Sequence, residues 1–173
     1  MTEKSNKYIF LDFDGVLNTD NYQLRCRAEG LPHKDEFGPV FDPEAIENLG
    51  MILQAVPEAR IVITSSWNID GLEVMRLLWE KRRLPGCVLD ITHCYIPDFD
   101  NMSIAEIMNV SPVGRGADIK AWQEENNAMD APYVIIDDLP DIFPEQKPHF
   151  VQTDPCDGIT LEDAMKAIAI LNG

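Results

Sequence analysis

The chain has 173 residues, 45% of them hydrophobic and 25% charged, with a formal net charge of −16. That length and balance allow a core to be buried without disulfide or metal staples, and they exclude a disordered or fibrous chain. Thirty acidic side chains against 14 basic ones repel polyanions, so extended nucleic acid is a disfavoured partner.

Met1 to Lys7 is polar, and the apolar run behind it, Tyr8 to Phe13, is far too short for a signal peptide or membrane span. A cytoplasmic protein with no membrane partner is expected. Lys7 to Phe13 reads as a buried strand, and its form recurs at Arg60 to Thr64 and Tyr133 to Ile136, each a short β-branched run followed by polar groups. Asp42-Pro43 supplies an N-cap and a first-turn proline for a helix with Ile46, Leu49 and Leu53 on its apolar face. Asp70 is expected to cap the next helix, with Val74, Leu77 and Leu78 inward, and Pro85-Gly86 ends it before a strand at Cys87 to Ile91. Asp118 to Asn127 predicts a helix carrying Ile119 and Trp122 on one side. A weaker strand follows at His149 to Thr153. Thr160 then starts an amphipathic helix with Leu161, Met165, Ile168 and Leu171 at helical spacing and Asp163 completing a capping arrangement.

Alternation of this kind predicts an α/β fold over a single domain, 1–173, with a parallel sheet covered on both faces and ligands gathered beyond the carboxyl ends of its strands. Asn18 to Phe41 and Ile91 to Gly114 read as long irregular stretches, for which functional loops are a common reason. Cys26, Cys87, Cys94 and Cys156 lack metal or redox spacing and read as free thiols. His33, His93 and His149 are scattered without ligand spacing, and none is a catalytic candidate.

Chemistry concentrates at four places. Phe10-Leu11-Asp12-Phe13-Asp14-Gly15-Val16 is an apolar strand that delivers two carboxylates at a spacing of two and then turns on glycine, so both can face one site. Close carboxylates resist joint ionisation unless a cation neutralises them, which points to magnesium or to split acid and base roles. Val134-Ile135-Ile136-Asp137-Asp138 repeats the pattern, with Asp141 close behind. If the two strands are neighbours, a spacing of roughly 4.8 Å puts their acids within reach of one hard cation. The bland alternative for both pairs is turn formation or capping. Ile61-Val62-Ile63-Thr64-Ser65-Ser66 ends a strand in hydroxyls suited to phosphoryl oxygens, although such runs are more often turns. Arg115, in Gly114-Arg115-Gly116, can neutralise a transferring phosphoryl group and is preferred to Lys120, which competes for the role.

These four elements, in this order and over nearly the whole chain, resemble the haloacid dehalogenase (HAD) superfamily of phosphotransferases. Asp12-Phe13-Asp14-Gly15-Val16 matches its first motif, Thr64 its second, Arg115 or Lys120 its third and Asp137-Asp138 its fourth. Thr64-Ser65-Ser66-Trp67, Arg115-Gly116 and Thr153-Asp154-Pro155 make the chain look like the small HAD domains associated with RNA repair ("Swiss Army knife") proteins. The resemblance implies a three-layer α/β/α Rossmann-like fold with a minimal cap or none, 18–41 forming at most a flap. It implies a phosphohydrolase in which Asp12 forms an aspartyl-phosphate and Asp14 acts as general acid and base. Magnesium would be held by the Asp12 carboxylate, the Asp14 carbonyl and Asp138, with Asp137 or Asp141 assisting through water. Thr64, Ser65 and Arg115 or Lys120 would bind the phosphoryl group.

An open site of that type suits a phosphomonoester on a small molecule, a protein or a nucleic-acid end. The competing expectation is a phosphoacceptor or interaction domain with little turnover. Lys81-Arg82-Arg83 reads as compensation of a helix dipole rather than substrate contact, and Trp67, after the second motif, as a packed aromatic rather than a base-stacking one.

Overall fold

Short β-branched runs that alternate with helices leave both faces of each strand apolar, and such strands are stable only when covered on both sides. The computed structural model describes residues 6–93, 102–105 and 114–173. In chain order its elements are β1 (Lys7–Leu11), α1 (Asp20–Glu29), β2 (Lys34–Asp35), β3 (Gly38–Pro39), α2 (Pro43–Ala55), β4 (Ala59–Ile63), α3 (Leu72–Lys81), β5 (Val88–Ile91), α4 (Arg115–Glu125), β6 (Tyr133–Asp137), β7 (Phe150–Gln152) and α5 (Leu161–Asn172). Single 3-10 segments cover Ser66–Asp70 and Pro144–His149. The central sheet is parallel throughout, in the order β5-β4-β1-β6-β7. It is flanked by helices on both faces, the three-layer α/β/α arrangement expected from the sequence.

The pleat of β1 assigns its side chains to two cores. Ile9 and Leu11 join Leu49 and Ile52 of α2, Met75 and Leu78 of α3, and Ala164 and Leu171 of α5. Tyr8 and Phe10 point the other way, into a smaller core with Ile119 and Trp122 of α4. Asp42 caps α2 by accepting from the Glu44 N–H, and Thr160 with Asp163 forms the expected capping box at α5. Among the described residues, no helix is long and apolar enough to cross a membrane. Cys26, Cys87 and Cys156 are free thiols, while Cys94 lies outside the described residues.

Several local expectations are corrected. Gly71, not Asp70, precedes α3 and offers no side-chain cap, because Asp70 closes the preceding 3-10 turn. Leu77 is 47% exposed and Met75 takes its place inside. In α5 the buried stripe is Ala164, Ala167 and Leu171, whereas Leu161 and Met165 face outward. Both stripes have helical spacing, so periodicity alone does not choose between them. Helix α4 starts at Arg115 rather than Asp118, since the Asp141 carboxylate, far along the chain, accepts from the Arg115 N–H at 3.2 Å.

The stretch from Asn18 to Phe41 is also more ordered than expected. Thr19 caps α1, Gly30 ends it in the left-handed region at φ 67°, and β2 and β3 pair as an antiparallel hairpin. Helix α1 was hidden because its residues form no apolar face, with Cys26 its single buried one. Lys81 lies in the last turn of α3 and Arg82 at its C-cap, but Arg82 also reaches away from the helix. Its guanidinium forks onto Asp35 at 2.9 and 2.7 Å and lies 4.3 Å above the Phe41 ring, tying the hairpin down. Burial opposes ionisation of Asp35, yet Arg82 and the Phe37 N–H outweigh it and hold its pKa below the usual value. Arg82→Ala is expected to loosen the hairpin, lowering stability by about 1–2 kcal/mol and speeding proteolysis within residues 31–38, as urea melts and timed digestion will show.

Candidate active site at the carboxyl edge of the sheet

The sheet ladder continues one residue past four strand ends, and this fixes the positions of the polar groups there. The Asp12 N–H donates to the Ile136 carbonyl at 3.1 Å, Thr64 to Leu11 at 2.9 Å, Thr92 to Ile63 at 2.9 Å and Thr153 to Asp137 at 3.1 Å. Asp12, Thr64, Thr92 and Thr153 therefore form a row across the carboxyl edge, the place where open α/β sheets collect ligands. The Asn68 amide reinforces it by donating to the Ile63 and Thr92 carbonyls.

Because β1 and β6 are neighbours, their terminal acids meet. Oxygens of Asp12, Asp137 and Asp138 lie within 4.8 Å of one another, a cluster able to hold a metal ion. Gly15 makes the approach of Asp138 feasible. A Cβ built there would fall 2.6 Å from the Asp138 Cγ, and its φ of 71° is one that side chains rarely adopt.

Arg115, at the start of α4, closes the other side. Its Nε donates to Asp137 Oδ2 at 2.9 Å and its Nη2 to Asp12 Oδ2 at 3.4 Å. Lys120 stands apart, with its ammonium 5.8 Å from the Phe143 ring centre. The Asp141 carboxylate is engaged at the start of α4 rather than in the triplet. Thr64 is fully buried and accepts from the Thr92 hydroxyl at 3.1 Å. Ser65 bonds the Asp12 carboxylate and also accepts from the Trp67 N–H at 3.4 Å. The Asp14 side chain lies outside the triplet, where it accepts from Asn18 Nδ2 at 2.7 Å and from the Trp67 indole N–H at 2.9 Å.

Burial is the largest influence on the triplet. It raises the pKa of Asp12, partly offset by Arg115, the Ser65 hydroxyl and the Phe13 N–H, with Asp14 adding to the rise. Asp137 is pushed up to about 7, first by burial and then by the charge of Asp12, against the opposing pull of the Leu139 N–H and Arg115. One guanidinium thus leaves the negative charge undercompensated. Hard carboxylate oxygens with surplus charge are the donor set a divalent cation such as magnesium requires, so the residues present fit one.

Two supports escaped the sequence reading. The Thr153 hydroxyl donates to the Gly15 carbonyl at 2.7 Å, and the Ile159 N–H to the Val16 carbonyl at 3.0 Å. The segment after β7 therefore buttresses the turn that carries Asp14. Thr153-Asp154-Pro155 was noticed as a string, but nothing local to it names its distant partners.

Gly15→Ala should displace Asp138, weaken magnesium binding at least about tenfold by calorimetry and lower stability by about 1–3 kcal/mol. A second expectation concerns pH in the presence of a chelator. Asp137 has a folded-state pKa above its unfolded value, so stability is lost as pH rises from about 4 to about 7. The stability of Asp137→Asn relative to wild type should increase across that window in urea melts, and saturating magnesium should abolish the trend.

No curated protein matches the chain. The family described as "HAD domain in Swiss Army Knife RNA repair proteins" matches residues 8–164, a span from β1 into α5 that contains every residue of the site. The chain therefore belongs to this HAD domain family, and with it to the HAD phosphohydrolase type at the level of family.

Proposed function

We propose that the chain is a magnesium-dependent phosphomonoester hydrolase that passes the phosphoryl group through Asp12. The observation that carries this reading is the meeting of Asp12, Asp137 and Asp138 within 4.8 Å, beside Arg115. Asp12 is the nucleophile. One of its oxygens is fixed by the Phe13 N–H at 2.7 Å, which orients the carboxylate. Attack forms the Asp12 oxygen–phosphorus bond as the bond to the leaving oxygen breaks, and Asp14 gives that oxygen its proton. Asp14 then takes a proton from the water that attacks phosphorus, and Asp12 is released with inorganic phosphate.

Magnesium, held by Asp12, Asp137 and Asp138, would offset the repulsion between these carboxylates and the phosphate dianion. Arg115 spreads its charge over the transferring group, while Thr64 and Ser65 line the strand end where that group docks. Asp14 is exposed and the hairpin of 34–39 is small, features that suit a phosphate carried on a macromolecule. The RNA repair proteins in which the family occurs favour a nucleic-acid end, and the acidic surface favours a single terminal phosphate over an extended strand.

Phosphate release from end-phosphorylated oligonucleotides, phosphopeptides and p-nitrophenyl phosphate, with and without magnesium, tests the reading. Asp12→Asn should retain the fold by circular dichroism and lose at least about 10³-fold in kcat. A chain that acquires one stable phosphoryl group without turnover would be a phosphoacceptor domain, and the hydrolase proposal would fall.

A further inference from the structure

Of the four aspartates at the site, Asp14 alone is exposed. An exposed carboxylate changes rotamer freely, and a divalent cation held by the neighbouring triplet would attract it. On the ion it would be lost to proton transfer. Two donors oppose that collapse by engaging both of its oxygens, Asn18 Nδ2 on Oδ1 at 2.7 Å and the Trp67 indole N–H on Oδ2 at 2.9 Å. Asn18 is four residues away in the same turn, whereas Trp67 comes from the segment after β4.

Trp67 is itself held from several directions. Its ring meets Phe13 edge-on at 5.5 Å and Phe41 at 5.7 Å, and the Arg82 guanidinium lies 5.7 Å from its centre. Gly38 of the hairpin leaves room for it, since a Cβ there would stand 3.3 Å from the ring tip. The indole is a donor only, so the bond to Asp14 can run in one direction alone. The other tryptophans use their N–H groups elsewhere, Trp79 on the Pro85 carbonyl and Trp122 on Asp90.

We infer that Trp67 is a positioning residue for proton transfer, its indole N–H holding Asp14 out of the metal-binding triplet and available to the leaving oxygen. This role rests on the phosphatase reading above. It separates Trp67 from a packed aromatic, because packing needs the ring and positioning needs the N–H. Trp67→Phe keeps most of the ring and removes the donor.

The test uses the full chain with magnesium and two substrates: an end-phosphorylated oligonucleotide, which is an alkyl ester whose leaving oxygen needs a proton, and p-nitrophenyl phosphate, whose leaving oxygen does not. In Trp67→Phe, kcat/KM for the alkyl ester should fall about tenfold or more, and for p-nitrophenyl phosphate by about twofold at most. In the metal-free ¹⁵N-labelled chain, the indole N–H signal that Trp67→Phe deletes should shift in Asp14→Ala. Equal losses on both esters, no loss on either, or an indole signal indifferent to Asp14 would overturn the role. Wild-type protein that turns over neither ester would overturn the phosphatase reading and this role with it, whereas turnover with an ester-independent loss overturns the role alone.

Discussion

Mutual repulsion among Asp12, Asp137 and Asp138 is the constraint around which the rest is arranged. Three carboxylate oxygens within 4.8 Å, two of the residues buried, would separate in an unconstrained chain. Here the backbone prevents it. Asp12 and Asp137 sit at the ends of hydrogen-bonded neighbours β1 and β6, so moving them apart would break the ladder that begins at Tyr8 and Tyr133. Arg115 neutralises part of the charge, and the remainder is charge that a divalent cation could offset.

The arrangement has a stiff interior and a tied-down periphery. Asp12 and Asp137 are carried by strands whose side chains fill two cores, so their positions are set by packing. Asp14 lies one turn beyond the strand and depends on side-chain contacts that reach across the chain. The Gly15 carbonyl is held by Thr153, the Val16 carbonyl by Ile159, and the Asp14 carboxylate by Trp67. Arg82 connects this outer layer to the hairpin by gripping Asp35 while covering Phe41 and Trp67. A basic residue that looks like a helix-end charge is thus the link between the hairpin and the aromatic group that bonds Asp14.

Legibility followed the range of the interaction. Alternating apolar runs reveal buried strands because burial is a property of each residue and its near neighbours. The Asp-x-Asp-Gly and Asp-Asp strand ends were visible for the same reason, as were the Asp42-Pro43 and Thr160 caps, whose partners lie within one turn. Helix α1 was not visible because it has no apolar stripe, and its order comes from the Thr19 cap and the hydrogen bonds that the Pro155 and Cys156 carbonyls accept from its first residues. The start of α4 was misjudged because its cap, Asp141, lies 26 residues away.

By itself, then, the sequence determined the parallel α/β architecture and the two acidic strand ends, since each is written in local pattern and chemical type. Tertiary structure alone decided that Arg115 rather than Lys120 reaches the acids, that Asp141 anchors a helix instead of joining the triplet, and that Trp67 spends its N–H on Asp14. Those choices depend on which strands lie side by side and how far a side chain must reach. Such distances arise only when burial of the two cores has fixed the sheet order.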